Sequence, residues 1–277
     1  MEDTADSGTG TYPHSETIPA LGLGTWQHTD HEQCVESVRL ALECGYRHLD
    51  TAQAYGNEQA VGEGLAAADV DREEVFLATK VWIDNLHPDD VRETARDSID
   101  RLGVDAVDLL YVHWPAGEYD PEATLSAFDD LYDDGLIRGV GISNFEPDQV
   151  KTAVESCAAP ILANQVECHP LFPQEKLRAV CAEYDLAVVA YSPLARGRVF
   201  EVPELQAVAD KHEVSEAQVS LAWLREHGVV AIPKATGEEH ILDNWASLDL
   251  DLDAEDRDQI DRIEYAERQV DPGFAPW

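Results

Sequence analysis

Four residues in the first half of this sequence carry complementary proton chemistry, and each closes or follows a short apolar run: Asp50, Tyr55, Lys80 and His113. Reducing a carbonyl puts hydride on carbon and a proton on oxygen. A tyrosine hydroxyl is a proton donor that is neutral near pH 7, but its reference pKa of about 10 makes it a reluctant one. A nearby cation stabilises the tyrosinate and eases proton release, and Lys80 is the candidate. A buried ammonium is costly unless paired, and Asp50 is the candidate partner. His113 can donate a hydrogen bond to the substrate oxygen as negative charge develops there. Taken singly, each residue also has an ordinary reading: a turn residue, a solvated loop charge, an interior histidine, a packing aromatic. Those readings leave the repeated placement at the ends of apolar runs unexplained.

The runs themselves alternate with helical patterns from end to end. Strands are expected over 21–25, 46–50, 75–80, 107–113, 138–143, 161–165, 187–192 and 229–233. Thr29 and Asp30 precede a helix with Val35, Val38 and Leu42 on one face, and Pro88, Pro121 and Pro147 each sit at a helix start. Proline is harmless there because that N–H has no intrahelical partner. Strand then helix, eight times over, predicts a parallel sheet wrapped by helices, and closing it gives a (β/α)8 barrel. The alternative is an open dinucleotide-binding sheet, which would carry G-x-G-x-x-G after its first strand. Here Gly22 and Gly24 lack the third glycine. A short N-terminal β-hairpin before the barrel and a C-terminal helix and tail complete the expected fold. Residues 1–10 read as a disordered acidic tail and 11–277 as one barrel domain.

In such a barrel the active site gathers at the carboxyl ends of the strands. Those ends carry Asp50, Lys80, His113 with Trp114, Ser143 with Asn144, Gln165 with Glu167 beyond it, Tyr191 with Ser192, and Lys234.

The 277 residues include 56 acidic and 19 basic ones, a net charge of −37. That balance argues against nucleic-acid binding, which needs a basic surface. The regular apolar pattern opposes disorder. Only five of the basic residues are lysine, and an acidic, lysine-poor surface resembles proteins of salt-accumulating cytoplasms. The first ten residues lack the features of a signal peptide, and no apolar run is long enough to span a membrane. Five cysteines without a CxxC fit reduced thiols. A cytoplasmic protein is therefore expected, and it is taken to be a monomer.

From about residue 11 to 273 the chain resembles the aldo-keto reductases, in particular prokaryotic members of the 2,5-diketo-gluconate reductase type. The segment GYRHLDTAQAYGNE at 45–58 is the most specific match. TKVW at 79–82, VHWP at 112–115, GISNF at 141–145, NQVECHP at 164–170, YSPL at 191–194 and IPK at 232–234 follow in the family's order. The resemblance implies a complete catalytic tetrad. Tyr55 is its acid, Lys80 and Asp50 tune that acid, and His113 orients the carbonyl. Histidine rather than glutamate at 113 favours carbonyl over carbon–carbon reduction.

The resemblance also implies a nicotinamide cofactor stretched across the barrel mouth. Ser143, Asn144 and Gln165 would bond the carboxamide and Tyr191 would stack on the ring. Ser192, Pro193 and Leu194 would line the pyrophosphate, with Arg196 as a nearby cation. Gly24, Thr25, Trp26, Asp50, Ile232, Pro233, Lys234, Ala235, Thr236, His240 and Asn244 complete the expected contacts. Two of these depart from the family. Ala235 stands where serine is usual and His240 where arginine is usual, both at the adenosine 2′-phosphate. Alanine cannot hydrogen-bond, and histidine lacks the forked donor geometry of arginine. The expectation is NADPH with a weakened preference and appreciable use of NADH. Trp26, Trp82 and Trp114, with Leu86, are expected to wall an apolar substrate pocket over Tyr55 and His113. Trp223 and Trp245 read as core. The loop after Trp114 and the tail from Arg268 are short, which suggests an open site for small or medium carbonyls. No metal site is expected, because His28 with His31, or Cys168 with His169, lack further ligands at recognised spacing. Two other readings remain at this stage: a catalytically retired, cofactor-binding regulatory barrel, and an acid–base hydrolase using Asp50 and Glu167.

Overall fold

The alternation read from the sequence folds as eight parallel strands in sequential order. The computed structural model describes residues 11–12, 15–264 and 267–277. The expected tail over residues 1–10 lies outside the described residues. A hairpin comes first: β1 (Thr11–Tyr12) pairs antiparallel with β2 (Ser15–Pro19). The barrel strands are β3 (Leu23–Gly24), β4 (His48–Asp50), β5 (Phe76–Val81), β6 (Leu109–Val112), β7 (Val140–Ser143), β8 (Ile161–Glu167), β9 (Ala187–Tyr191) and β10 (Val229–Ala231). Each is hydrogen-bonded to the next. The ring closes where the Gly22 N–H donates to the Ala231 carbonyl (2.8 Å) and the Gly24 N–H to the Pro233 carbonyl (3.1 Å). All eight expected strands are present, trimmed by one to a few residues at most ends.

The outer layer holds α1 (His31–Cys44), α2 (Glu58–Ala67), α3 (Pro88–Leu102), α4 (Pro121–Asp133), α5 (Pro147–Ser156), α6 (Glu175–Glu183), α7 (Pro203–His212), α8 (Glu216–Glu226), α9 (Glu238–Ala246) and α10 (Ala254–Ile260). Their starts follow the local chemistry. The Asp30 carboxylate accepts the Gln33 N–H (2.8 Å) and caps α1, and Asp120 does the same for α4 through Ala123 (2.9 Å). Pro88, Pro121 and Pro147 each occupy the first turn of their helix. Among the described residues, no helix is long and apolar enough to cross a membrane.

Two apolar assemblies result. One lies between the strands and the helices and includes Val38, Leu42, Leu49, Val112, Phe128 and Trp223, all buried. Trp245 packs against Tyr46 at 5.0 Å, so both helical tryptophans pack as expected. The other fills the barrel: Ile18 on β2, Phe76 and Leu109 with Ala78, Tyr111, Val189 and Val230. Both faces of the strands are buried, and successive side chains point to opposite faces, so His48 and Asp50 on β4 share the inward one. That face carries the polar groups upward to the mouth.

Candidate active site

The carboxyl ends of the strands surround a cavity of about 1020 Å³. At its floor the Lys80 ammonium, fully buried, donates to the Asp50 carboxylate at 2.5 Å and to the Thr51 carbonyl at 2.8 Å. It also reaches the Tyr55 hydroxyl at 3.5 Å. Asp50 is fixed from its other side by the Gln165 amide at 2.7 Å. The His113 ring stands edge-on to Tyr55 (5.9 Å between centroids) and to Trp82 (5.1 Å). Tyr55, His113, Asp50 and Gln165 all line the cavity. Asp50, Tyr55, Lys80 and His113, spread over positions 50–113, are thus brought together.

Burial sets their protonation. Burial first, and the Asp50 charge second, push the Tyr55 phenol well above its ordinary range. Desolvation of a phenolate dominates in the resting site, and the help expected from Lys80 concerns the tyrosinate that forms as the proton leaves. Burial also lowers Lys80, and the Asp50 carboxylate works against that fall. His113 is held well below 6.5 by burial and then by the Lys80 charge, so its imidazole is neutral. Its Nδ1 is buried without a hydrogen-bond partner. The resting site is a neutral phenol and a neutral imidazole beside a buried ion pair.

The nicotinamide expectations divide into two groups. Ser143, Asn144, Gln165, Tyr191, Ser192, Pro193, Leu194, Arg196, Ile232, Pro233, Lys234, Gly24 and Trp26 do line the cavity. Asn144 adopts a left-handed φ of 64°, which asparagine tolerates better than most residues. Its amide nitrogen donates to the His113 carbonyl (3.1 Å), and its Oδ1 accepts the Tyr191 hydroxyl (2.7 Å). These bonds fix the Tyr191 ring at the wall. Thr25, Ala235, Thr236, His240 and Asn244 do not line the cavity. Thr25 is fully buried and its hydroxyl donates to the Asp50 carbonyl (3.0 Å), a strand-end tie. Ala235 and Asn244 are buried, while His240 is exposed in the first turn of α9 beside Glu238 and Glu239.

Charge distinguishes one end of the cavity. Among the described residues, Arg196 and Lys234 make no ion pair and both line the cavity; Arg198, by contrast, pairs with Glu267 at 3.0 Å and Glu201 at 3.5 Å. The Arg196 guanidinium stacks over Trp26 at 4.9 Å. In a chain of net charge −37, two unpaired cations at one cavity wall suit an anionic ligand. Together with the Tyr191 ring and the amides of Asn144 and Gln165, they fit a dinucleotide laid across the mouth.

The opposite end is apolar and more covered than expected. Trp82 and Trp114 line it, but Leu86 does not: it is fully buried in the core, with its carbonyl accepting the Thr124 hydroxyl at 2.8 Å. The tail reaches over the pocket and puts Val270, Pro272 and Phe274 into its wall. Phe274 stands edge-on to both Trp82 (5.8 Å) and Trp114 (5.3 Å). The suggestion of an open rim is corrected here, since a short tail suffices once it is anchored across the mouth. Its anchor is Glu167, whose buried carboxylate accepts the N–H groups of Gln269 (2.6 Å) and Val270 (2.9 Å) and meets His169 Nε2 at 3.0 Å. Glu167 is thereby committed to the tail and does not line the cavity, which removes the hydrolase reading. Sequence reasoning also missed Gln53. Its Oε1 accepts the Trp82 N–H and the Asn85 amide, both at 3.0 Å, tying the Tyr55 loop to the Trp82 loop. The one available signal was its place inside the segment 45–58. For Phe274 the signal was a pair of aromatics, Phe274 and Trp277, in the short tail.

Known proteins share this sequence pattern and fold. Residues 20–265 match the model of the aldo/keto reductase family. The chain is 39% identical over 256 residues to a 9,11-endoperoxide prostaglandin H2 reductase of Trypanosoma cruzi, covering 91% of this chain and 90% of that protein. It is 38% identical over 251 residues to a glyoxal reductase of Bacillus subtilis, with 91% of each covered. The solved structure of an aldo-keto reductase complexed with NADPH superposes with a TM-score of 0.88 at 31% identity, covering 95% of this chain and 89% of that one. The chain belongs to the aldo/keto reductase family and is an oxidoreductase.

Proposed function

We propose that this protein reduces aldehydes or ketones to alcohols with a nicotinamide cofactor, Tyr55 serving as the general acid. The observation that carries this reading is the Tyr55 hydroxyl at the cavity wall, 3.5 Å from an ammonium that is itself paired with Asp50. The cofactor supplies the hydride; the chain does the rest. The neutral His113 and the neutral Tyr55 orient the carbonyl oxygen by hydrogen bonds. As charge grows on that oxygen, the phenol gives up its proton, and the tyrosinate left behind faces Lys80. A raised phenol pKa suits this role, since the proton stays on Tyr55 until an alkoxide, a far stronger base, forms beside it. Trp82, Trp114 and Phe274 exclude water from the reacting carbon.

The cofactor would be held by Ser143, Asn144, Gln165 and Tyr191 at its nicotinamide end, with Arg196 and Lys234 toward the phosphates. We read NADPH as preferred but weakly so. Lys234 is the cation available to a 2′-phosphate, the side chain of Ala235 offers no donor, and His240 sits beside two glutamates. Small and medium neutral carbonyls suit the apolar pocket, in keeping with a relative named a glyoxal reductase. We also take the protein to be one domain from residue 11 onward and a monomer of a salt-rich cytoplasm.

The test is stopped-flow oxidation of bound NADPH by a generic aldehyde in concentrated salt. The wild type should turn over, and Tyr55→Phe should bind cofactor equally well yet lose at least about a hundredfold in rate. Normal turnover by Tyr55→Phe would refute the assignment, and a wild type that binds cofactor but never oxidises it would point to a retired barrel.

A further inference from the structure

Among the buried titratable side chains that the mechanism above leaves unused, Tyr111 lies directly beside Lys80. Tyr111, fully buried, lies on β6 in direct register with Lys80 on β5, and both point into the barrel. The Lys80 ammonium lies 5.8 Å from the centroid of the Tyr111 ring and 5.1 Å from that of Tyr55. Two aromatic rings thus face one desolvated ammonium, both within the range where a ring's quadrupole attracts a cation. The Tyr111 hydroxyl lies beside the Gln165 side chain, while its ring faces Lys80.

The seat for that ring is built into the neighbouring strand. Gly141 on β7 is in register with Tyr111, and a Cβ there would meet the ring at 2.3 Å. Glycine in a central strand weakens it and often marks a close approach; here the approach is the Tyr111 ring.

We propose that Tyr111 is a positioning residue whose ring keeps the Lys80 ammonium charged beneath the reacting site. The inference rests on Tyr55 being the acid that Lys80 serves. The other groups around Lys80 act together with the ring. From β4 and the loop after it come Asp50, the neutral His48, the Thr51 carbonyl and Tyr55. From α2 comes Glu58, and from the end of β6 comes the neutral His113. Asp50 and Glu58 favour the ammonium by charge. Burial opposes it, and the Tyr111 ring offsets part of that cost without adding a second buried anion.

The decisive experiment replaces Tyr111 by phenylalanine and then by phenylalanines of increasing ring fluorination, which keep the shape while draining the ring's negative face. Two readouts are followed: the alkaline limb of single-turnover NADPH oxidation, and the titration of the Lys80 ammonium by NMR of labelled lysine, practicable in a chain with five lysines. Tyr111→Phe should leave both in place. Trifluorination should move both to lower pH by about one unit, since a desolvated cation–π contact is of that order. Tyr111→Leu should move them at least as far. A limb and a titration that ignore fluorination would overturn the proposal, as would a Tyr111→Phe shift as large as that of Tyr111→Leu. If Tyr55→Phe is inactive while the series is flat, the role of Tyr111 alone fails. If Tyr55→Phe keeps normal turnover, both readings fail.

Discussion

The buried carboxylate of Glu167 accepts the backbone N–H of Gln269 at 2.6 Å, joining the end of β8 to a segment 102 residues away. With the second bond to Val270 at 2.9 Å, it holds the tail where Phe274 can wall the pocket. Hydrogen bonds to an ionised acceptor are among the stronger ones in proteins. Glu167→Gln keeps the shape but replaces one acceptor oxygen by a donor that opposes an N–H. KM for an aromatic aldehyde should rise roughly tenfold, the scale of one lost charge-assisted bond, with kcat little changed. Truncation before Arg268 should do the same, and the two changes combined should not add. Additive effects would show that Glu167 acts elsewhere.

Cofactor choice should respond to two substitutions. Ala235→Ser restores a hydroxyl and His240→Arg a forked cation near Lys234. Together they should strengthen NADPH binding by about tenfold or more while leaving NADH unchanged, since charge-assisted bonds to phosphate are of that size. Fluorescence titration with both cofactors measures it. Parallel gains for NADH and NADPH would place the two residues away from the 2′-phosphate.

Acid should destabilise the fold through its buried histidines. Burial, reinforced by Lys234, lowers His28 to about 4; burial also takes His48 to about 4, and it holds His113 well below 6.5. All three are neutral when folded and take up protons when unfolded below 6.5. The unfolded state then binds more protons, so stability is complete above about pH 6.5 and falls as pH drops toward 4. Between pH 6.5 and 5.5 exposed carboxylates barely titrate. Urea midpoints in concentrated salt should therefore fall across that interval, with uptake of up to about three protons. A constant midpoint there would contradict the assignment of neutral imidazoles.

Salt should stabilise the protein. Its 56 carboxylates far outnumber its 19 basic residues, and most of the arginines are already paired, several with two carboxylates each. The remaining charge repels itself. At 1 M salt the Debye length is about 3 Å, and that repulsion is screened. The melting temperature should rise steadily between 0.1 M and 2 M potassium chloride. A melting temperature that falls or stays level would mean the surface charge is not limiting.

What the sequence determined by itself was everything that repeats or is local. Eight apolar runs alternating with helices specify a parallel sheet covered by helices, because each strand must bury both faces, and the missing third glycine after the first strand favoured a closed barrel over an open dinucleotide-binding sheet. Strand ends then carry Asp50, Lys80, His113, Asn144 and Gln165 to one rim whatever the details of packing. The helix starts at Asp30, Pro88, Pro121 and Pro147 were legible for the same reason, since the first turn of a helix is set by neighbours in the chain. Tertiary structure alone decided the contacts between segments far apart. Leu86 looked like a pocket wall and became core, because burial depends on which way a loop turns. The tail looked too short to cover the site, yet a glutamate a hundred residues earlier holds it across the mouth. The rise of the Tyr55 pKa and the pairing of the Tyr111 ring with Lys80 follow from how much water the finished barrel excludes, a property of the packed molecule rather than of any stretch of its chain.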